Sequence, residues 1–219
     1  MEYDALVFDS DGVLTTPTQR AVLEEAIVET LREFGVESPD REHVETMVAT
    51  DHETVRTYCG EYGIDAESFW PARDRNVTEA HQQEIAAGRK TLYDDVQLLS
   101  EFDLPMGIVS NNQHTTIEYL VEYFELDAVF ETYYGRELTL QGLQRCKPDP
   151  HYLERAVEDL GVERPLYVGD SGSDVAAAER LGIDSVFVRR PHREGYGVEP
   201  EPTYEIASFE GLADVLDAG

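Results

Sequence analysis

Lysine is nearly missing from this 219-residue chain: Lys90 and Lys147 stand alone against fifteen arginines and 46 acidic residues. The formal net charge of −29 leaves no cationic footprint on which a nucleic acid would settle. The acidic residues are spread through almost every segment, so they read as a solvated surface more than as a docking face for one basic partner. Cysteine is scarce too. Cys59 and Cys146 form no spaced pair, which excludes a disulfide framework and suggests a reducing interior. Neither lies beside a histidine, so both are expected to be ordinary buried thiols. The six histidines are scattered singly, and a zinc site is not expected. No run of eighteen apolar residues exists and no basic-then-apolar segment opens the chain. A soluble, cytoplasmic protein with no membrane partner is the expectation. Internal repeats and low-complexity segments are absent as well.

What is present is a core-forming composition, 41% hydrophobic with twelve tyrosines, arranged as alternating strand and helix patterns. Short apolar runs at Tyr3–Asp9, Pro105–Ser110, Val129–Tyr134, Leu166–Asp170 and Ser185–Arg189 lack clean polar alternation. That suits parallel strands buried on both faces. Helical patterns follow them at Asp94–Phe102, Thr115–Phe124, Pro150–Leu160, Ser173–Leu181 and Phe209–Leu216, several closed by a glycine.

Between Thr16 and Gly88 the rhythm breaks. Some seventy residues show helical periodicity and no convincing strand, and the breakers Gly35, Pro39, Gly60, Gly63 and Pro71 divide them into three or four helices. A βαβ crossover needs only one helix, so the block reads as an insert. The expected fold is α/β: a Rossmann-like doubly wound parallel sheet of about five strands with an inserted all-helical subdomain. Residues 1–15 and 89–219 form the core domain and 16–88 the insert, with hinges at Leu14–Pro17 and Ala87–Tyr93.

In such a sheet, ligands bind beyond the carboxyl ends of the strands, and the polar clusters of this sequence fall there. The first strand ends in Asp9-Ser10-Asp11-Gly12. Taken alone, an Asp-Gly turn explains that pair as well as a site does. The second strand ends in Ser110-Asn111-Asn112 and the fourth in Gly169-Asp170-Ser171-Gly172-Ser173-Asp174, while Lys147-Pro148-Asp149-Pro150 stands ahead of a helix. Four clusters on one edge exceed what turn chemistry requires. Two carboxylates placed together repel, so a bound cation or a shifted pKa is implied.

Over essentially its whole length the chain resembles the haloacid dehalogenase superfamily, the aspartate-nucleophile phosphohydrolases. The resemblance rests on Asp9-Ser10-Asp11-Gly12-Val13, Ser110 after an apolar strand, Lys147 in Lys-Pro-Asp-Pro, and Gly169-Asp170-Ser171-x-x-Asp174. The helical cap directly after the first motif is similar to the phosphoglycolate phosphatase and β-phosphoglucomutase branch. The acidic composition resembles that of proteins from salt-loving archaea, where concentrated salt screens the self-repulsion.

The resemblance implies a Mg²⁺-dependent phosphatase. Asp9 would attack phosphorus to form an aspartyl-phosphate, splitting one hard displacement into two. Anion attacking anion needs a cation between them, and Mg²⁺ suits an oxygen-rich cage. Asp9 and Asp170 would be ligands along with the main-chain carbonyl of Asp11, and Asp174 would bind the metal or orient a ligand. Asp11 would be the general acid and base, with its pKa expected above the usual ~4. Ser110, Asn111 and Lys147 would hold the phosphoryl group, although Asn111 also suits a helix cap. Ser10 and Thr15-Thr16 depart from the usual first motif. Retention of Asp11 favours oxygen-linked phosphate over halide chemistry, because an alcohol leaving group needs a proton.

Arg20, His52, Arg56, Arg73 and Arg75 are insert groups that could meet a substrate, but none is assigned to the site. A small phosphorylated metabolite, phosphoglycolate-like or a sugar phosphate, is the expected partner of a monomer or homodimer. A phosphomutase, a non-catalytic binding protein on the same fold and an acidic interaction protein are the alternatives.

Overall fold

The computed structural model describes residues 3–218. Six parallel strands form its sheet: β1 (Ala5–Phe8), β2 (Met106–Gln113), β3 (Thr132–Arg136), β4 (Pro165–Gly169), β5 (Asp184–Val188) and β6 (Tyr204–Ile206). Their order is β3-β2-β1-β4-β5-β6, which puts β1 between β2 and β4. The chain departs to one side of β1 and later returns to the other, so a crevice opens beyond its carboxyl end. The five-strand expectation falls short by β6. Three residues long and beginning at a half-buried tyrosine, that edge strand has no apolar run to betray it.

Alternation sends neighbouring strand residues to opposite faces. Leu6 and Phe8 of β1, Leu166 and Val168 of β4, and Val186 and Val188 of β5 join one apolar cluster. Val7, Val109 and Tyr167 point to the other, where α7 (His151–Leu160) and α8 (Gly172–Leu181) supply Tyr152, Leu153, Ala156, Ala177 and Ala178. Both faces are covered, as parallel sheets require.

Between β1 and β2 lie α1 (Arg20–Glu33), α2 (Arg41–Met47), α3 (His52–Tyr62) and α4 (Ala66–Ala86). They pack around a separate cluster containing Ile27, Leu31, Met47, Val55, Phe69 and Trp70, which Leu140 of α6 (Leu140–Gln144) also joins. Gly60 and Pro71 do not break helices as expected; they lie inside α3 and α4. Pro71 removes one backbone rung, at about 3 kcal/mol, from a 21-residue helix with eleven buried residues. Burial on that scale overrides local propensity. The two crossings between these helices and the sheet run side by side: Thr16 N–H donates to Thr91 O at 2.9 Å and Tyr93 N–H to Leu14 O at 3.0 Å. No helix among the described residues is long and apolar enough to cross a membrane.

Candidate active site

Asp9 follows the last residue of β1 and Asp170 the last of β4, because a strand that ends at the crevice delivers its next side chain there. Asp174 arrives from the first turn of α8, whose start is fixed by a capping box between Ser171 and Asp174. The Asp174 Oδ2 accepts from Asp170 N, Ser171 N and Ser171 Oγ at 3.2, 3.0 and 2.5 Å. Asp9, Asp170 and Asp174 are all buried, and their carboxylate oxygens lie within 4.8 Å of one another.

Two of them, Asp9 and Asp174, share one cation. Lys147 is buried, its Nζ 2.6 Å from Asp174 Oδ1 and 2.8 Å from Asp9 Oδ1. It also donates to Tyr167 Oη at 2.9 Å and Val109 O at 3.1 Å. Burial works against the lysine's charge, but Asp174 and Asp9 more than offset it and hold its pKa well above the ordinary value. The same ion pair, with hydrogen bonds from Ser171 and Tyr167, holds Asp174 below the usual carboxylate range despite its burial. Asp9 is treated differently. Burial, reinforced by Asp174 and Asp170 against the pull of Lys147, pushes its pKa up to about 7.

The donor set suits a hard divalent cation. Three buried carboxylates converge, with Lys147 between Asp9 and Asp174 and Arg193 on Asp170, and Asp9 Oδ1 is a buried oxygen that meets Lys147 without a well-aligned hydrogen bond. Gly12, at φ 85°, keeps this space open, since a Cβ there would stand 2.3 Å from Asp170 Oδ2. That oxygen also meets His192 Nε2 at 2.6 Å and Arg193 Nε at 2.9 Å.

Asp11 does not join the cluster. Its carboxylate pairs with the ammonium of Lys90, which is buried and also donates to Thr16 O at 2.9 Å. Burial by itself would raise the Asp11 pKa, as the general-acid role was expected to require. Lys90, with His81 and Asn112 nearby, reverses that and holds it below its ordinary value. The expectation of a raised pKa is therefore corrected: a buried lysine decides the sign.

Ser110 is buried in β2, its Oγ accepting from Asn112 N at 3.2 Å. Asn111 does not cap a helix through its side chain. Its Oδ1 accepts from Lys147 N at 2.8 Å and its Nδ2 donates to Lys147 O at 3.2 Å, tying β2 to the loop before α7.

Above these residues is a cavity of about 540 Å³ lined from both sides. Trp70, Arg73, Val77 and His81 of α4 face Asn111, Gln113, Arg136 and Lys147. Of the five insert groups noted in the sequence, only Arg73 lines it. Arg20 and Arg56 pair with Glu24 and Glu67 at the surface. Cys59 is buried; Cys146 is half-buried and lines the cavity. Asp74, His81, Lys90, Arg136, Tyr167, His192 and Arg193 were not foreseen as site neighbours. For Lys90 a signal existed, since it is one of only two lysines.

The haloacid dehalogenase-like hydrolase family matches residues 6–188. The chain belongs to that family. It is 25% identical to a 5'-nucleotidase from Pseudomonas aeruginosa over 228 aligned positions, covering 100% of this chain and 97% of that one. A phosphoglycolate phosphatase from Colwellia psychrerythraea is 28% identical, with 84% of each chain covered. Among solved structures, CbbY from Rhodobacter sphaeroides in complex with phosphate superposes with a TM-score of 0.69 at 20% identity, covering 98% of this chain and 99% of that one. At that identity the likeness concerns the fold. A haloacid dehalogenase-like hydrolase thus carries its buried carboxylates at the ends of β1 and β4, where its sheet changes direction.

Proposed function

We propose that this hydrolase is a Mg²⁺-dependent phosphatase that acts on a small phosphomonoester through an aspartyl-phosphate. The observation that carries the reading is the buried meeting of Asp9, Asp170, Asp174 and Lys147, with Asp11 retained two residues after Asp9. The 5'-nucleotidase and phosphoglycolate phosphatase relatives support phosphate esters as the substrate class.

Asp9, Asp170 and Asp174 would hold the cation, with the main-chain carbonyl of Asp11. When bound, the ion supplies positive charge between the carboxylate nucleophile and the phosphoryl oxygens. Asp9 Oδ1, ion-paired with Lys147 at 2.8 Å but without a well-aligned hydrogen bond, would be the atom that attacks phosphorus. Lys147 would help neutralise the transferring group, together with Ser110 and Asn111. The Lys90 pairing leaves Asp11 as a carboxylate, the form that accepts the proton of an attacking water. Donating a proton to a departing alcohol requires Asp11 first to separate from Lys90 and take up a proton, which it gives to the alcohol and regains from the attacking water.

The reading extends to organisation. Residues 16–88 would be a helical cap domain over the core of 1–15 and 89–219, turning at the paired crossings beside Asp11 and Lys90. The acidic surface would be an adaptation to concentrated salt of the kind found in halophilic archaea. A cytoplasmic monomer or homodimer taking a small phosphorylated metabolite fits this reading.

The deciding measurement is phosphate release in high KCl from a panel of phosphomonoesters, with Mg²⁺ and with EDTA, comparing wild type with Asp9→Asn. Turnover is expected only in the wild type with Mg²⁺. Equal activity in both proteins, or none on any ester, would remove the catalytic reading. A requirement for a bisphosphate activator would redirect it to a phosphomutase.

A further inference from the structure

A second buried charged cluster lies where α4 meets β3, and the catalytic assignment does not use it. Asp74 of α4 is fully buried. Its carboxylate accepts from Arg136 Nη1 at 2.5 Å and Nη2 at 2.6 Å, from Arg73 Nη1 at 3.0 Å and from Gln113 Nε2 at 3.1 Å. Asp74 and Arg73 belong to the cap helix, whereas Arg136 and Gln113 belong to β3 and β2. The guanidinium groups of Arg73 and Arg136 lie 4.8 and 5.2 Å from the Trp70 ring centre, within reach of a cation–π attraction.

Burying three charges is costly, and such networks are weak evidence for stability; in some proteins what they supply instead is a defined geometry. Here that geometry leads to the site. The planar Arg136 fork has a remaining donor, Nε, which reaches Asn111 O at 3.0 Å. Asn111 in turn holds Lys147 by both its backbone groups, and the Lys147 amine stands between Asp9 and Asp174. A series of polar contacts therefore runs from a cap carboxylate to the backbone of Lys147, whose side chain carries the amine that stands beside the nucleophile. Arginine is needed at its centre, because a lysine cannot grip a carboxylate with two parallel donors and reach a carbonyl with a third.

We propose that Asp74 and Arg136 are positioning residues: Asp74 sets Arg136, Arg136 sets Asn111, and Asn111 sets where the Lys147 amine stands. Seating of the cap and placement of the phosphate-binding amine then become one variable. The functional meaning rests on the phosphatase reading, but the coupling can be read without it.

The scarcity of lysine supplies the probe. Protein labelled with ¹⁵N and ¹³C in lysine alone has two side-chain signals, assigned by Lys90→Arg and Lys147→Arg. Asp74→Asn and Arg136→Lys are each expected to shift the Lys147 ammonium signal and leave that of Lys90 in place. In an Asn111→Ala background, Asp74→Asn should no longer move it. With p-nitrophenyl phosphate and Mg²⁺, both single variants should lose about tenfold to a hundredfold in kcat, as small misplacements of a reacting group do, with thermal midpoints showing that each is folded. Should Asp74→Asn fail to fold, Arg136→Lys and Asn111→Ala complete the same comparison. An unmoved Lys147 signal in a folded variant overturns the proposal, as does a shift that survives Asn111→Ala. If the signals behave as expected but neither the wild type nor any variant releases phosphate, the coupling stands and the phosphatase reading fails alone.

Discussion

Asp9 and Asp11 are two residues apart, yet the fold gives each its own lysine and opposite electrostatic treatment. Asp9 shares Lys147 with Asp174 and is pushed up to about 7, because burial and two carboxylate neighbours outweigh one ammonium. Asp11 has Lys90 to itself and is held down. A general acid held down in this way matters most when the leaving group cannot depart without a proton. Asp11→Asn should therefore lower kcat/KM, which reports the first phosphoryl transfer, by a larger factor for an alkyl phosphate than for p-nitrophenyl phosphate. A proton-transfer role contributes about 10²–10⁴-fold, and p-nitrophenolate hardly needs it. Equal losses on the two substrates would leave Asp11 a structural residue.

At the scale of elements, α4 is where local pattern and tertiary demand part company. It runs through Pro71, buries Arg73, Asp74, His81 and Glu84, and places His81 Nδ1 2.9 Å from Thr18 Oγ1. Burial drives the His81 pKa down to about 4 from 6.5, beyond what the Asp11 charge restores. A neutral buried histidine contributes stability that is complete above its unfolded value and lost as pH falls towards the folded one. Between about pH 7 and pH 5 that loss is roughly 2 kcal/mol. Asp9, raised in the fold, works in the opposite direction over much of the same range. The wild-type slope is therefore a sum, and the clean measurement is a difference. His81→Gln, compared with wild type in denaturant titrations at both pH values, should lose less stability on acidification by about that amount. Identical slopes would show that His81 does not titrate as its burial requires.

The same helix shows what a sequence conveys and what it withholds. Five strands and the residues at their carboxyl ends were legible because apolar runs and strand-end polar clusters are local signals. Asp9, Lys147, Asp170 and Asp174 meet in the structure where the alternation places them. The partnership of Lys90 with Asp11 spans 79 positions and that of Arg136 with Asp74 spans 62. Neither belongs to a periodic pattern, and each depends on how the inserted helices settle on the sheet. The direction of the Asp11 shift is hidden in the sequence for that reason: Asp9 is two residues away, whereas Lys90, which decides the sign, is brought in from 79 positions along the chain.

For the molecule as a whole, the governing quantity is a formal charge of −29 on 219 residues. Ion pairing relieves little of it. Surface pairs such as Arg20–Glu24, Arg41–Glu45 and Arg189–Glu205 use up the few cations, and each contributes about 0–1 kcal/mol. Most carboxylates face water and one another, and the compact state gathers their repulsion in a way the unfolded chain does not. Salt shortens the reach of that repulsion from about 10 Å at 0.1 M to about 3 Å at 1 M. It also weakens the exposed pairs, but with 46 acidic groups against 17 basic ones the repulsive contacts outnumber the attractive ones. The buried pairs at Lys147, Lys90 and Arg136 are shielded from this screening. The thermal midpoint should accordingly rise as KCl is taken from about 0.1 M to above 1 M, with most of the gain arriving early, as the Debye length falls below the spacing of surface charges. Tetramethylammonium chloride at matched ionic strength should reproduce that early part, since screening depends on charge and not on the ion. A midpoint that falls with either salt would mean that attraction, not repulsion, governs this surface, and the acidic composition would then need a basic partner to explain it.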